Sequence, residues 1–521
     1  MGSSIDGLIQ AALNSGTTGR FLIALQPGEI KAAASNLKDK AGISTVSSAD
    51  YEDGVVPPDD LDDESVLLAD LGIVITSKNV DSTSFASVAS EDGGVRTIVP
   101  ETLVFASNFG EVFGASSPSA ASPVIMQPQF PGMMPPLAGV LPAVLGGRPV
   151  EYWLGYLAAL QQLLLGIPGA TFAVPAVPSS SAAPTVPMGA QDFGGFGTMP
   201  GTLPEGPLQE VAAATQTETW GLRATRVISS RYTGAGVRVA VLDTGLDLAH
   251  PDFQDGRIAA TASFVGQPVQ DVPTRGNPGH GTHCIGTACG PKSPSGPSAQ
   301  GRYGIAYESQ IYVGKVLTNF GVSTQRQIPG VGTVGSVLEG IQWAIQQGCH
   351  ICSMSLGSPP SPFGDVYRQA AEQATLRGMC MIAAAGNDSN RPGLPFFRPN
   401  VPPGVRPVSS PANNLRVMGV GAVDEQLRLA AFSNRGFFNT AAAVDLVGPG
   451  INVYSSVPGG YGLMSGTSQA TPHVSGIAAL LRQARPNDSP LDILRTLMRM
   501  AQALPGLDPN DVGAGLVQAP Q

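Results

Sequence analysis

Between Gln216 and Gln521, short apolar runs rich in β-formers alternate with stretches of helical periodicity. The runs "VRVAVLDTG", "SQIYVGKVL", "HICSMSLG", "MCMIAAAGN" and "LRVMGVGAV" mostly close on glycine or a small polar residue. Between them, "GSVLEGIQWAIQQG" and "DVYRQAAEQATLRG" repeat their apolar positions at helical spacing. Runs apolar on both faces belong to buried parallel strands, and parallel strands need crossover helices. The pattern predicts a doubly wound, mostly parallel α/β domain over 211–521. Ligands of such sheets bind beyond the carboxyl ends of the strands, where the polar residues of these runs gather.

The remainder of the chain divides by composition. After an N-terminal extension (1–19), residues 20–108 alternate strand-like and helix-like pieces ("RFLIAL", "EIKAAASNLKDKAG", "SVLLADLGIVITS", "VRTIVPETLVFAS"), which predicts a small α+β module of split βαβ type. Its acidic stretch 52–64 reads as a solvated loop. Residues 109–210 are a Pro/Gly/Ala-rich linker. Within it, Trp153, Leu157, Leu160 and Leu164 share one face of a helix predicted over 150–166, which either docks on protein or contacts a membrane.

Charge and cysteine usage narrow the function classes. The net charge is -10 and no basic block offsets it, which excludes nucleic acid as the partner. The odd set Cys284, Cys289, Cys349, Cys352 and Cys380 is not a disulfide framework. Cys349 and Cys352 face opposite sides of a strand, which argues against a shared metal. The N-terminus lacks the basic start and long apolar centre of a secretory signal. A cytoplasmic chain as synthesised is expected, with export only by a signal-independent route.

Three side chains form a chemical set. Ser468 stands at a helix N-terminus in "GLMSGTSQATPHVSGIAALL", where free amides and the helix dipole favour negative charge; read alone it is an N-cap. Asp243 closes a buried strand, where a solvated turn aspartate is the plain alternative. His280 opens a small-residue helix in "NPGHGTHCIGTACG". A zinc site of His280, His283 and Cys284 competes, although no second ligand cluster accompanies it. Acyl transfer needs a nucleophile, a base, an acid that orients the base, and oxyanion donors. Ser468, His280 and Asp243 fill the first three roles.

On "DTG", "GHGTHCIGTACG", "YGIAYESQIYVGKVL", "AAAGNDS" and "GTSQATPH", residues 216–521 resemble subtilisin-like serine proteases, the subtilases, and in particular their proteinase K-like branch. The resemblance implies a serine endopeptidase acting on protein or peptide substrates, with Asp243 as acid, His280 as base and Ser468 as nucleophile. The Asn387 amide and the Ser468 backbone N–H would form the oxyanion hole. Substrate would insert as a strand between Gly330, Val331 and Gly332 on one side and Ser355, Leu356 and Gly357 on the other. Ala384, Ala385, Gly386 and Ser409 would line a primary pocket for uncharged medium or large side chains, and Pro411 would follow a cis bond. Cys284 would be a buried thiol beside the base.

Catalysis is expected to need no cofactor. Gln216 and Asp252 match ligands of a structural calcium, but "GPKSPSGPSAQG" departs from the usual calcium loop. The long "DSNRPGLPFFRPNVPPGVRP" with Arg391, Arg398 and Arg406 is a further departure, and it bears on specificity. The N-terminal module resembles the family propeptide, which implies a zymogen inhibited and chaperoned by its own N-terminal module, with self-processing near residues 205–216. A transpeptidase or cyclase on the same site, or a catalytically silent peptide-binding module, are the alternatives.

Overall fold

A computed structural model of the chain describes residues 17–51, 65–77, 85, 94–106, 218–274, 278–319, 321–322, 327–328, 330–359, 366–436 and 443–521. The linker 109–210 with its predicted helix, the acidic loop 52–64 and Gln216 lie outside the described residues.

The N-terminal module contains β1 (Phe21–Leu25), α1 (Ile30–Ala41), β2 (Thr45–Ser47), β3 (Ser65–Leu68), β4 (Ile73–Ile75) and β5 (Val95–Pro100), followed by β6 (Leu103–Ala106). The first five strands form one sheet in the order β2-β3-β4-β1-β5. "SVLLADLGIVITS" is an antiparallel hairpin, Val66 opposite Ile75 and Leu68 opposite Ile73. Period-two alternation sorts β1 between two cores. Ile23 and Leu25 pack with Ala33 and Leu37 of α1. Leu22 and Ala24 instead join a cluster with helices of the C-terminal domain.

That domain begins with α2 (Trp220–Ala224), β7 (Arg238–Asp243), β8 (Ile258–Ser263), α3 (His280–Cys289) and β9 (Gln310–Lys315). The short strands β10 (Gly321–Val322), β11 (Gln327–Ile328) and β12 (Val331–Thr333) lead into α4 (Val334–Gln346). Then come β13 (Ile351–Met354), β14 (Leu356–Gly357), α5 (Val366–Leu376), β15 (Cys380–Ala384), β16 (Val417–Val423) and β17 (Leu446–Pro449). The hairpin of β18 (Val453–Val457) and β19 (Gly460–Met464) precedes α6 (Thr467–Ala484), α7 (Pro490–Met500) and α8 (Pro509–Val512).

Seven of these strands form one sheet in the order β17-β16-β15-β13-β7-β9-β8. All its pairings are parallel, as the apolar runs predict. Val239 and Val241 of β7 are buried in one cluster and Ala240 and Leu242 in another, so both faces of the sheet are covered. From β7 the chain goes to the edge strand β8 and returns through β9 on one side, then crosses to β13 and builds outward to β17 on the other. The crevice beyond the carboxyl ends of β7 and β13 is therefore the switch point where such sheets bind ligands. Among the described residues, no helix is long and apolar enough to cross a membrane.

Candidate active site

Asp243 ends β7 at this switch point, and His280 is the first residue of α3. The turn into α3 requires glycine at position 279: its φ is +100°, and a Cβ there would lie 1.9 Å from Pro458 Cδ. His280 Nδ1 is 2.8 Å from Asp243 Oδ1, and both side chains are buried. A carboxylate only accepts, so Nδ1 carries the proton, and in the neutral imidazole Nε2 presents its lone pair. The same carboxylate oxygen accepts the Thr244 amide at 2.7 Å.

Electrostatics separates His280 from the other buried histidines of these motifs. His283 Nε2 lies 2.9 Å from the Val453 carbonyl, and burial drives its imidazole down to about 3. His473 Nδ1 lies 2.8 Å from the Gln469 carbonyl, and burial lowers it to about 4. Burial pulls on His280 too, but the charge and hydrogen bond of Asp243 outweigh it and hold the imidazole well above its ordinary value. His280 alone of the three is poised to gain a proton.

The zinc alternative loses its second histidine, because the His283 ring is turned to Val453. Ligand atoms of Asp243, His280 and Cys284 do lie within 4.8 Å of one another. The Asp243–His280 hydrogen bond, however, already uses the nitrogen and oxygen that face each other. The Cys284 thiol is buried 3.9 Å from His280 Nδ1, beside the base as expected, and donates to the Ser468 carbonyl at 3.6 Å. Burial raises its pKa, which keeps it a neutral thiol and a poor nucleophile.

Ser468 lies in the first turn of α6. Ser355 holds it twice: the Ser468 hydroxyl donates to the Ser355 carbonyl at 3.2 Å, and the Ser355 hydroxyl donates to the Ser468 carbonyl at 2.7 Å. Asn387 stands beside the same turn. Its Oδ1 accepts from both the amide and the hydroxyl of Thr467, each at 2.9 Å, which fixes the amide plane and turns Nδ2 away as a donor. Glycine at 466 leaves room for the neighbouring amide side chains. A Cβ there would sit 2.8 Å from Gln469 Oε1 and 3.1 Å from Asn387 Nδ2. In the sequence Thr467 reads only as a helix-starting residue; its hold on Asn387 emerges from the packing.

The two predicted cleft edges, β12 and β14, are brought together with a strand between them. That strand is β6 of the N-terminal module, antiparallel to both. Val331 faces Phe105 and Gly332 faces Val104, while Leu356 faces Ala106 and Gly357 faces Phe105. The Ala106 amide donates to the Gly330 carbonyl at 2.7 Å.

Ala384, Ala385 and Ser409 are buried, and the Ser409 amide donates to Ala385 at 2.9 Å. The Gly386 amide donates to the Thr467 hydroxyl at 3.2 Å, which ties this wall to α6. Asn434, absent from the sequence reading, fixes the adjoining turn by accepting the Asp388 and Ser389 amides at 2.9 and 3.0 Å. The Ser410–Pro411 bond is cis, as expected. In the long loop, Arg391 pairs with Asp511 of α8 at 2.7 Å and Arg398 donates to the Ser389 carbonyl at 3.0 Å, so one guanidinium ties the loop to α8 and the other braces the loop itself.

Asp252 is buried in surroundings that do not fit a calcium ion. Its Oδ2 accepts the hydroxyls of Tyr303 and Tyr461 at 2.5 and 2.9 Å, and its Oδ1 accepts the Ser295 amide at 2.5 Å. A calcium ion requires converging oxygen acceptors, whereas three donors converge here.

Sequence comparison agrees with this geometry. The family model described as "Subtilase family" matches residues 234–515, more than half of the chain. M-protease of Shouchella clausii (strain KSM-K16) is 38% identical over 314 residues, 60% of this chain and 71% of that protein. Subtilisin Savinase of Lederbergia lenta is 38% identical over 308 residues, 58% of this chain and 98% of that protein. Alkaline elastase YaB of Bacillus sp. (strain YaB) is 38% identical over 308 residues, 58% of this chain and 70% of that protein.

Proposed function

The chain belongs to the subtilase family and is a serine endopeptidase acting on protein or peptide substrates, and from that premise we propose that it works through Asp243, His280, Ser468 and Asn387. Asp243 holds His280 by its Nδ1–H and stabilises the imidazolium. Nε2 takes the Ser468 proton as the hydroxyl turns from the Ser355 carbonyl and attacks the scissile carbonyl carbon. Asn387 Nδ2 and the Ser468 backbone amide donate to the tetrahedral oxygen. The imidazolium then gives its proton to the departing amine, leaving an acyl-enzyme that water hydrolyses by the same steps in reverse roles. Losing one such oxyanion donor costs about 10²–10³ in turnover, so Asn387 carries a large share of the rate. The observation that carries this reading is the buried 2.8 Å Asp243–His280 bond, at the start of a helix packed on the one that presents Ser468.

We further propose that the chain is a zymogen whose N-terminal module inhibits by laying β6 along the cleft. The antiparallel register supports a specific processing site. Phe105 faces Gly357 and Ala106 faces Leu356, so β6 runs in the direction of Ser355, whose carbonyl holds the Ser468 hydroxyl. The bond cut in self-processing then lies immediately after β6 rather than near 205–216, and the linker stays with the peptidase domain. Intact mass and N-terminal sequencing test this. Wild type should acquire a new N-terminus just beyond Ala106, while Ser468→Ala stays whole at 53.3 kDa. Shortening of Ser468→Ala at the wild-type rate, with other proteases excluded, refutes the nucleophile. A first cut at 205–216 refutes the register.

A further inference from the structure

Behind the Asp243–His280 pair lies a second buried carboxylate that neither the motifs nor the reaction steps use. Asp271 Oδ2 accepts the Thr282 amide at 2.9 Å and the Thr282 hydroxyl at 2.8 Å. Its Oδ1 accepts the Thr244 hydroxyl at 3.0 Å. Each partner belongs to one half of the pair. Thr244 follows Asp243, donates its amide to the Asp243 oxygen that holds His280, and accepts the Gly281 amide at 2.8 Å. Thr282 lies in the first turn of α3, two residues past His280. Asp271 thus staples the strand end carrying the acid to the helix start carrying the base.

A buried ammonium completes the group. Lys315 lies opposite Asp243 in the β7–β9 register, is fully buried, and donates Nζ to the Thr244 carbonyl and to Asn319 Oδ1, the latter at 3.0 Å. The charged or titratable groups around Asp271 are Asp243 on β7, Lys315 on β9, His280 and Cys284 on α3, and Asp247, whose amide donates to the Thr282 hydroxyl at 2.9 Å. At the core of this set are two carboxylates and one ammonium. The balance becomes neutral when His280 takes the proton from Ser468, so the surplus negative charge favours the imidazolium at the moment of reaction. The carboxylate also caps the N-terminal amides of α3, where negative charge is stabilising.

We propose that Asp271, with Lys315 as its counter-charge, is a positioning residue for the peptidase reaction: it fixes the geometry between Asp243 and His280 and supplies negative charge that supports the imidazolium. Burial raises the Asp271 carboxyl to about 6, against the pull of Thr282 and Lys315, and burial lowers Lys315 to about 8, so both are mostly charged near neutral pH. The inference rests on the catalytic assignment made above.

The test uses the processed enzyme, a fluorogenic peptide that wild type cleaves, and Asp271→Asn, which keeps the shape but removes the charge. The expected result is a kcat lower by about tenfold or more with KM changed by less than about twofold. The acid limb of kcat/KM should also move to lower pH, because His280 loses a stabilising negative charge. Should Asp271→Asn not fold, Thr244→Val and Thr244→Ser decide. The valine should lose kcat by removing the hydroxyl bridge, and the serine should restore it. Wild-type kcat and an unmoved acid limb in Asp271→Asn overturn the proposal, as does a Thr244→Val enzyme as fast as wild type. Ser468→Ala, assayed in parallel, separates the two levels: residual wild-type activity there means that the catalytic assignment itself has failed.

Discussion

Both faces of the seven-stranded sheet are covered by helices of its own domain, whereas among the described residues the five-stranded sheet of the N-terminal module covers only one face with a helix of its own. In the large sheet, Val239 and Val241 are buried with Ile285 and Val474, and Ala240 and Leu242 with Leu338 and Ile341. In the small one, Ile23 and Leu25 meet α1, while Leu22, Val66, Leu68 and Ile73 are buried in the cluster that holds Leu338 and Tyr367 of α4 and α5. Polar groups complete the borrowed face. Gln369 of α5 donates to the Leu25, Leu71 and Gly72 carbonyls at 3.0, 2.9 and 2.8 Å. The peptidase domain is self-sufficient in burial and the module is not. On the proposed zymogen reading, the inhibitor is held together by its target, so a released module is an unfolding one and an easy substrate.

The largest effect should come from removing the partner. Residues 17–106 alone should show no cooperative thermal transition by circular dichroism, and should gain ordered signal when titrated with processed enzyme. Cooperative two-state unfolding of the free module would break the comparison outright.

Next in size is the ion pair buried in the seam. Glu101 receives Arg20 Nε and Nη2 at 2.7 and 2.9 Å, the Thr18 hydroxyl at 2.6 Å, and the Gly335 amide at the start of α4 at 2.9 Å. Glu101→Ala leaves a buried guanidinium without its carboxylate, a loss of about 3–5 kcal/mol, or roughly 10²–10⁴ in the inhibition constant of module added in trans. A change below about twofold would mean that the seam is held by apolar burial alone.

A smaller, tunable effect should follow pH. Glu339 of α4 is buried in the same seam, facing the charges of Arg20 and Glu101, and its Oε2 has no hydrogen-bond partner among the described residues. Arg20 is already committed to Glu101, and burial pushes the Glu339 carboxyl up to about 8. Undocked and solvated, the group returns toward its ordinary value, so docking takes up a proton. Affinity is therefore full below the ordinary value and falls as pH rises toward 8, by at most about tenfold per pH unit. Glu339→Gln should flatten that slope. A wild-type inhibition constant that is constant from pH 5 to 8 would remove Glu339 from this role.

The large sheet was legible because each strand announces itself locally. "VAVLD" and "MIAAA" are apolar on both faces and end where polar chemistry begins, and Gly279 and Gly466 mark the turns that lead into His280 and Ser468. The resemblance implied that the module's last strand leads into the cleft, but the register of β6 between β12 and β14 was not legible, since register between segments so far apart in sequence is set by the borrowed sheet face rather than by either strand. Asp271 escaped notice because its partners, Thr244 and Thr282, converge only once β7 and α3 are packed. The calcium reading of Asp252 failed to fit for the same reason, as the donors on its carboxylate come from Ser295, Tyr303 and the distant hairpin residue Tyr461.

The central claim is that Ser468 is the nucleophile activated by His280, and covalent labelling tests it most directly. Processed enzyme freed of the module would be treated with a serine-directed fluorophosphonate, digested and mapped by mass spectrometry. The account predicts one adduct, on Ser468, formed faster as pH rises through the titration of His280, whose acid limb should lie above about 6.5 because Asp243 raises the imidazole. Ser468→Ala and His280→Ala should remain unlabelled. An adduct on another serine, or a Ser468 adduct formed at the wild-type rate in His280→Ala, would contradict it.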